Sequence, residues 1–194
     1  MINVNGNLYK NIDSNNINNF NFVINNYNFC EEIHYEKGFL FFWEDHFFRI
    51  MASLRRLRFN IPILFNKGFL KLEIIKTIKA NKLEKKIGNI KFHFFSKPEN
   101  NTIDYIIIVY SSKSYSNINT KLKISCDIYN EELIKSGSLS NFSITNKTLR
   151  RLAHIYSNEN GFNSCIILND KKNIVESTIG NFYLIKKNKI ITPN

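Results

Sequence analysis

The apolar residues of this chain recur with two different periods, and that change most constrains the fold. Short apolar runs of strand length occupy residues 28–35, 90–96 and 103–110. From Trp43 onward the spacing becomes three and four residues, which is typical of one buried face of an α-helix. A second helix is predicted over residues 67–80, so strands and helices share the first half of the chain. The first helical stripe consists of Trp43, Phe47, Ile50, Met51, Leu54 and Leu57.

Turn signals separate these segments. Asn5-Gly6 suits the positive φ angles of a type I′ turn and predicts a hairpin over residues 2–9. Residues 36–38 predict the turn of a second hairpin, because they place a glycine between two apolar runs. The first helix is expected to stop near Asn60, shortly before a proline.

A polar, aperiodic stretch over residues 111–119 is the best candidate for a linker. It divides the chain into an N-terminal α+β subdomain, residues 1–116, and a C-terminal part, residues 117–194. Strands and helices occur in both parts. The sequence therefore predicts an α+β fold in two subdomains.

The C-terminal part has its own pattern of strands around one helix. Thr145 or Asn146 is expected to cap that helix, and Gly161 is expected to end it. Its apolar stripe consists of Leu149, Leu152, Ala153 and Tyr156. Strands are predicted at residues 122–126, 164–168, 174–177, 181–185 and 190–192.

The formal charge of +11 comes from 27 Lys and Arg against 16 Asp and Glu, but only six of the basic residues are Arg. Nucleic-acid readers favour Arg, and the Lys residues are scattered along the chain, so a solvated basic surface is preferred over a nucleic-acid interface. No window approaches the roughly 18 apolar residues of a membrane span. Residues 1–6 lack the pattern of a signal peptide. We therefore predict a cytoplasmic protein without membrane contact.

The cysteines and histidines do not form a recognisable ligand set. Cys30, Cys126 and Cys165 have long spacings, and no histidine pair has metal-ligand spacing. Cys30 and Cys165 lie in apolar runs and are expected to be buried, reduced thiols. No metal site is predicted.

The most specific pattern in the chain lies near its C-terminus, in residues 161–162, 166–170, 173–182 and 190–193. Two upstream segments accompany it in order, residues 2–6 and the His-x-x-Arg run within residues 44–49. Together they resemble the class IV aminotransferases, which are fold-type IV pyridoxal 5′-phosphate (PLP) enzymes. The family includes branched-chain and D-amino-acid aminotransferases and aminodeoxychorismate lyase. The resemblance implies a two-subdomain fold whose larger C-terminal subdomain holds the cofactor.

The resemblance also implies roles for particular residues. Arg49 corresponds to the arginine that binds the PLP phosphate, and a guanidinium fork suits a phosphate group. Glu176 corresponds to the carboxylate that faces the pyridine nitrogen and keeps it protonated, so that the ring accepts electrons. His46 fits a helix-packing position without a chemical role.

The lysine that carries PLP in the family is not found at its expected place. Counting back the family's 33 or 34 residues from Glu176 reaches Ser143 or Phe142. The local pattern favours Ser143, because Asn146 then falls where the family has an asparagine. Lys147 lies one helical turn later and is the alternative attachment site. We therefore expect Ser143 to occupy the lysine position and covalent attachment of PLP to be impaired.

Further departures from the family support the same expectation. The glycines and the threonine that line the family's substrate pocket are absent from residues 24–31. The family also continues beyond the motif at Thr192-Pro193, so the second subdomain is expected to be incomplete.

The resemblance implies a PLP-dependent protein acting on a small amino acid or keto acid, as an aminotransferase or a lyase. The missing lysine predicts impaired or no activity. The alternative is a catalytically inactive structural or partner homologue, and a basic nucleic-acid-binding module is less favoured. A homodimer is implied by the resemblance alone.

Overall fold

The computed structural model of the chain describes residues 1–10, 28–96, 102–112, 123–140 and 147–193. It divides into two compact units, Met1–Asn117 and Ile118–Asn194. The first unit contains six strands and two helices in its described residues: β1 (Ile2–Val4), β2 (Asn7–Tyr9), β3 (Asn28–Glu36), β4 (Phe39–Leu40), α1 (Trp43–Arg56), α2 (Lys67–Ala80), β5 (Ile87–Ser96) and β6 (Ile103–Ser111).

The described residues of the second unit contain one helix and five strands. They are β7 (Cys126–Ile134), α3 (Lys147–Glu159), β8 (Ser164–Asn169), β9 (Ile174–Ser177), β10 (Leu184–Lys186) and β11 (Lys189–Ile191). The predicted α+β class is confirmed, because strands and helices occur in both units.

The strands of the first unit form one antiparallel sheet in the order β2-β1-β6-β5-β3-β4. Both predicted hairpins are confirmed. Asn5 and Gly6 have φ angles of 49° and 87°, and Lys37 and Gly38 have φ angles of 48° and 83°. Each pair therefore supplies the left-handed residues that a two-residue hairpin turn requires.

Alternation along the strands gives this sheet one apolar face. On β3, Phe29, Glu31, Ile33 and Tyr35 are buried, whereas the residues that alternate with them are more exposed. Helix α1 contacts β3, and α2 contacts β1 and β6, so the helices cover this face. The fully buried core of the unit includes Tyr35, Phe92, Phe94, Ile33, Ile50, Leu54, Leu70, Ile74, Ile78, Ile90 and Ile107.

The two helices of the first unit differ in how well the sequence locates them. Helix α2 has the predicted bounds, and the side chain of Asn66 caps it by accepting a hydrogen bond from the Phe69 amide. Helix α1 ends at Arg56 rather than near Asn60, because Arg58 adopts a left-handed conformation with φ of 59°. The chain therefore leaves the helix before the stop signal that the sequence shows.

In the second unit, β7 pairs parallel with β8, and β8 pairs antiparallel with β9. Helix α3 lies between the parallel strands in sequence and contacts both, as in a βαβ unit. The core consists of Tyr129, Ile134, Ala153, Cys165 and Ile167. Strands β10 and β11 form a separate, exposed hairpin.

One strand prediction is wrong. The strand expected at residues 122–126 instead begins at Cys126 and continues to Ile134. Its apolar signal is weak because three of its central residues, Asn130, Glu131 and Glu132, are polar, while Tyr129 and Ile134 supply the buried positions. Leu152 is also 44% exposed, so the buried apolar face of α3 is formed by the other residues of the predicted stripe rather than by Leu152.

Two predictions concern residues that the structure describes only in part or not at all. Most of the predicted linker, and the predicted helix caps Thr145 and Asn146, lie outside the described residues.

The thiol of Cys165 is buried as expected, whereas Cys30 is partly exposed. Among the described helices, none is long and apolar enough to cross a membrane.

Candidate cofactor-binding residues

A buried carboxylate organises the candidate phosphate-binding residue of the first unit. Glu31 lies on the helix-covered face of β3, and its side chain is only 4% exposed. Nε of Arg49 donates to Oε1 of Glu31 over 2.8 Å, and Nη2 of Arg49 donates to the same oxygen. Nδ1 of His46 donates to it over 2.5 Å. A buried charge is costly unless it is paired, so these donors are what make the position tolerable for a carboxylate.

Helix geometry brings the two donors together. His46 and Arg49 are three residues apart on α1, a spacing that places side chains on one face of a helix. His46 is 14% exposed, whereas the side chain of Arg49 is 62% exposed. The arrangement fixes the inner edge of the guanidinium group and leaves its outer part in contact with solvent.

Arg49 keeps donors that an anion could use. Its contacts to Glu31 and His46 involve Nε and Nη2, and Nη1 has no hydrogen-bond partner in the described part of the chain. Two N–H groups on Nη1 therefore face outward from a guanidinium group whose orientation is already set. This geometry fits a phosphate-binding arginine.

The second candidate residue, Glu176, also has an arginine partner. Nε of Arg150 donates to Oε1 of Glu176 over 2.6 Å, and Nη2 donates to Oε2 over 2.8 Å. The side chains are 33% and 25% exposed, respectively. The hydrogen bond to Glu176 raises the pKa of Arg150, against the opposing effect of desolvation. The pair joins α3 to β9.

Glu176 retains the capacity to accept a further hydrogen bond. A carboxylate offers about four acceptor positions, and the two bonds from Arg150 use one on each oxygen. An acceptor with spare lone pairs and a fixed orientation fits a group that would face a pyridinium N–H.

The segment in which the family has its PLP-attaching lysine lies mostly outside the described residues. Ser143 and Asn146 lie there entirely. Lys147 is the first residue of α3, and the structure describes only its backbone. The roles predicted for Ser143 and Lys147 therefore stay predictions.

Sequence reasoning missed two residues of this arrangement and understated a third. It gave no role to Glu31 or Arg150, and it assigned His46 to packing alone. The three-residue spacing of His46 and Arg49 was a usable signal for a shared partner. No local pattern could have found Arg150, because its partner lies 26 residues away on another element.

Other features of the described residues add no chemistry. No group of three or more His, Cys, Asp or Glu side chains there is placed to hold a metal ion. A shallow depression of about 200 Å³ in the second unit is lined only by apolar residues and one threonine: Ile174, Phe182, Leu184, Ile191, Thr192 and Pro193.

Comparison with known proteins agrees with the fold. Residues 28–194 match the family described as amino-transferase class IV. Since the match covers most of the chain, the protein belongs to the class IV aminotransferase family. No curated protein sequence matches the chain.

Solved structures show the same fold at low sequence identity. A branched-chain amino acid aminotransferase from Thermobaculum terrenum in its PLP form superposes with a TM-score of 0.79 at 16% identity, over 100% of this chain and 66% of that one. The branched-chain amino acid aminotransferase of Escherichia coli gives 0.78 at 15% identity, over 99% and 67%.

A Legionella pneumophila protein assigned as a 4-amino-4-deoxychorismate lyase gives a TM-score of 0.71 at 20% identity, over 88% of this chain and 63% of that one. The chain thus spans about two thirds of the length of these structures. The fold-type IV architecture is shared with them.

Proposed function

We propose that this chain is a PLP-binding member of the class IV family whose aminotransferase or lyase activity on amino acids is impaired or absent. The observation that carries the proposal is that Arg49 and Glu176, the two residues proposed to contact the cofactor, are held in place by side chains that leave donors or acceptors available. PLP is proposed as the ligand because one of the similar structures was solved in its PLP form. Amino acids as the substrate class are suggested by the branched-chain amino acid aminotransferases among the similar structures, and keto acids follow as the products of amino-group transfer.

The proposed roles follow from the geometry of each residue. Arg49 would bind the phosphate of PLP through Nη1, while Glu31 holds the opposite edge of its guanidinium group and His46 donates to the same carboxylate. Glu176 would accept the N–H of the pyridine ring. When bound, PLP supplies an electron sink for negative charge that develops at the substrate Cα.

The proposed loss of activity follows from Ser143. A serine hydroxyl at the lysine position cannot attach the cofactor, and it is a weak base without an adjacent activating group. Proton transfer by a positioned side chain typically contributes about 10²- to 10⁴-fold to a rate. A chain without that group would keep cofactor binding and lose most of the turnover.

The alternative proposal is that Lys147 replaces the missing lysine. Lys147 is the first residue of α3 and precedes Arg150 by three positions. Since Arg150 reaches Glu176, the nearness of Lys147 to Arg150 along the helix is the observation that favours this candidate.

Equilibrium dialysis of PLP against the purified full chain tests the proposed binding. Arg49→Ala is expected to weaken binding about 10- to 100-fold, because a hydrogen bond to a charged group contributes roughly 1.5–3 kcal/mol. Arg55→Ala is the matched control, since Arg55 is an exposed arginine of the same helix. Glu176→Gln should also weaken binding, with exposed Glu159→Gln as its control. Wild-type protein that does not bind PLP, or equal binding by Arg49→Ala and Arg55→Ala, would contradict the proposal.

A further inference from the structure

Arg150 and Glu176 form a bidentate ion pair in the second unit. The two N–H···O bonds run side by side from one guanidinium edge to both carboxylate oxygens, at 2.6 and 2.8 Å. Bidentate geometry of this kind fixes the plane and direction of a carboxylate as well as its position. A lysine at position 150 would hold a single point and would not fix that plane.

The surroundings make this pair more than an exposed surface contact. Both side chains are mostly shielded from solvent, with 33% exposure for Arg150 and 25% for Glu176. Glu176 also belongs to β9, whose backbone is set by pairing with Ile167 of β8, a fully buried strand residue. The carboxylate is therefore anchored at both ends, by its strand and by α3.

The adjacent arginine of the same helix, Arg151, differs from Arg150 in its exposure and in its contacts. Arg151 is exposed, and its side chain makes no hydrogen bond or ion pair with the residues that the structure describes. The two residues have the same charge and nearly the same place in the sequence. They allow the effect of the contact to be separated from the effect of the charge.

We infer that Arg150 is a positioning residue for the cofactor ring, which it serves by holding the Glu176 carboxylate in the orientation that accepts the pyridine N–H. This inference rests on the proposed function, because it assigns no role to Arg150 unless Glu176 faces the cofactor. Arg150 itself does not touch the cofactor in this account. Removing its side chain lets Glu176 rotate, so the cofactor loses a directed acceptor while the carboxylate is still present.

A double-mutant cycle on PLP affinity tests the inference. The dissociation constant is measured by equilibrium dialysis for the wild-type chain, Arg150→Met, Glu176→Gln and the double variant, with Arg151→Met as the matched control. Arg150→Met is expected to weaken binding about tenfold, by analogy with the roughly 10- to 100-fold losses that follow removal of the hydrogen-bond partner of a metal-ligating side chain. The double variant should bind no more weakly than Glu176→Gln alone, and Arg151→Met should bind like the wild type. Arg150→Lys, which keeps the charge, should recover only part of the loss.

The possible outcomes distinguish a failure of the inference about Arg150 from a failure of the proposed function. If the wild type binds PLP and Arg150→Met binds equally well, the inference is wrong and the proposed function stands. If the losses of the two single variants multiply in the double variant, Arg150 acts independently of Glu176 and the inference is again wrong. If the wild type does not bind PLP, the proposed function and the inference both fail. Circular dichroism and thermal unfolding check folding, and Arg150→Lys and Arg150→Gln take the place of Arg150→Met if that variant does not fold.

Discussion

Arg49 donates its Nε–H to Oε1 of Glu31 over 2.8 Å, and the carboxylate that receives it is almost fully buried. The relationship explains why an arginine that is itself mostly exposed has a defined orientation. The buried acceptor sets the direction of the guanidinium group, and the remaining donors point outward. A phosphate ligand would therefore meet donors that need little reorganisation.

The first prediction concerns Glu31→Gln. An amide at this position keeps the shape but removes the charge that Arg49 and His46 both contact. Because hydrogen bonds to charged groups are the stronger ones, we expect a loss of about 1–3 kcal/mol in the free energy of unfolding. PLP affinity should fall as well. Urea unfolding and PLP dialysis measure the two effects.

The control for that prediction is Glu84→Gln, which removes the same charge at an exposed site. It should leave both the unfolding free energy and the PLP affinity near the wild-type values. Equal unfolding free energies for Glu31→Gln and Glu84→Gln would show that the buried contacts do not stabilise the fold.

The second prediction concerns stability at high pH. Tyr110 donates a hydrogen bond to Glu32 over 2.5 Å, and burial together with that bond raises the pKa of Tyr110 to about 12. An unfolded tyrosine titrates near 10, so the folded chain holds this proton more tightly. The stability from this group is complete below about pH 10 and is lost as the pH rises toward about 12.

Tyr110→Phe should therefore flatten the fall in unfolding free energy between about pH 10 and pH 12. Urea unfolding at a series of pH values measures the slope, and Tyr183→Phe, which removes an exposed phenol, is the control. If Tyr110→Phe and the wild type lose stability with the same slope, the Tyr110–Glu32 contact does not have the assigned effect.

The third prediction concerns the close packing of β5. A Cβ at Gly88 would lie 2.1 Å from the backbone oxygen of Tyr110 and 2.7 Å from the ring of Tyr35. Backbone cannot move aside easily at the centre of a sheet, so Gly88→Ala should cost at least about 1–3 kcal/mol in the free energy of unfolding. Gly137→Ala is the control, since a Cβ there would meet no atom within 4 Å. Thermal unfolding that gives the same midpoint for both variants would contradict the described packing.

Much of the local structure follows from short-range signals. Asn5-Gly6 and Lys37-Gly38 specify their turns because few other residues accept positive φ angles. The bounds of α2 follow from its cap at Asn66 and from its length of apolar sequence. The strand Cys126–Ile134 was misplaced because its buried residues are separated by charged ones, which hides the alternation that identifies a strand.

The candidate site residues also differ in whether a local sequence signal points to them. Arg49 and Glu176 could be proposed as cofactor-binding residues because they belong to local motifs that resemble a family pattern. Glu31 and Arg150 were not, because their contacts join residues 18 and 26 positions apart on different elements. Such contacts depend on how strands and helices pack, which no local spacing encodes.

The central claim is that this chain keeps the PLP-binding residues of its family and lacks the lysine that attaches the cofactor. Borohydride reduction of the full chain with stoichiometric PLP, followed by peptide mass spectrometry, tests it most directly. We predict no site-specific adduct on the wild-type chain, and an adduct at residue 143 in Ser143→Lys that Arg49→Ala suppresses. A stoichiometric adduct on Lys147 of the wild type, lost in Arg49→Ala, would contradict the claim.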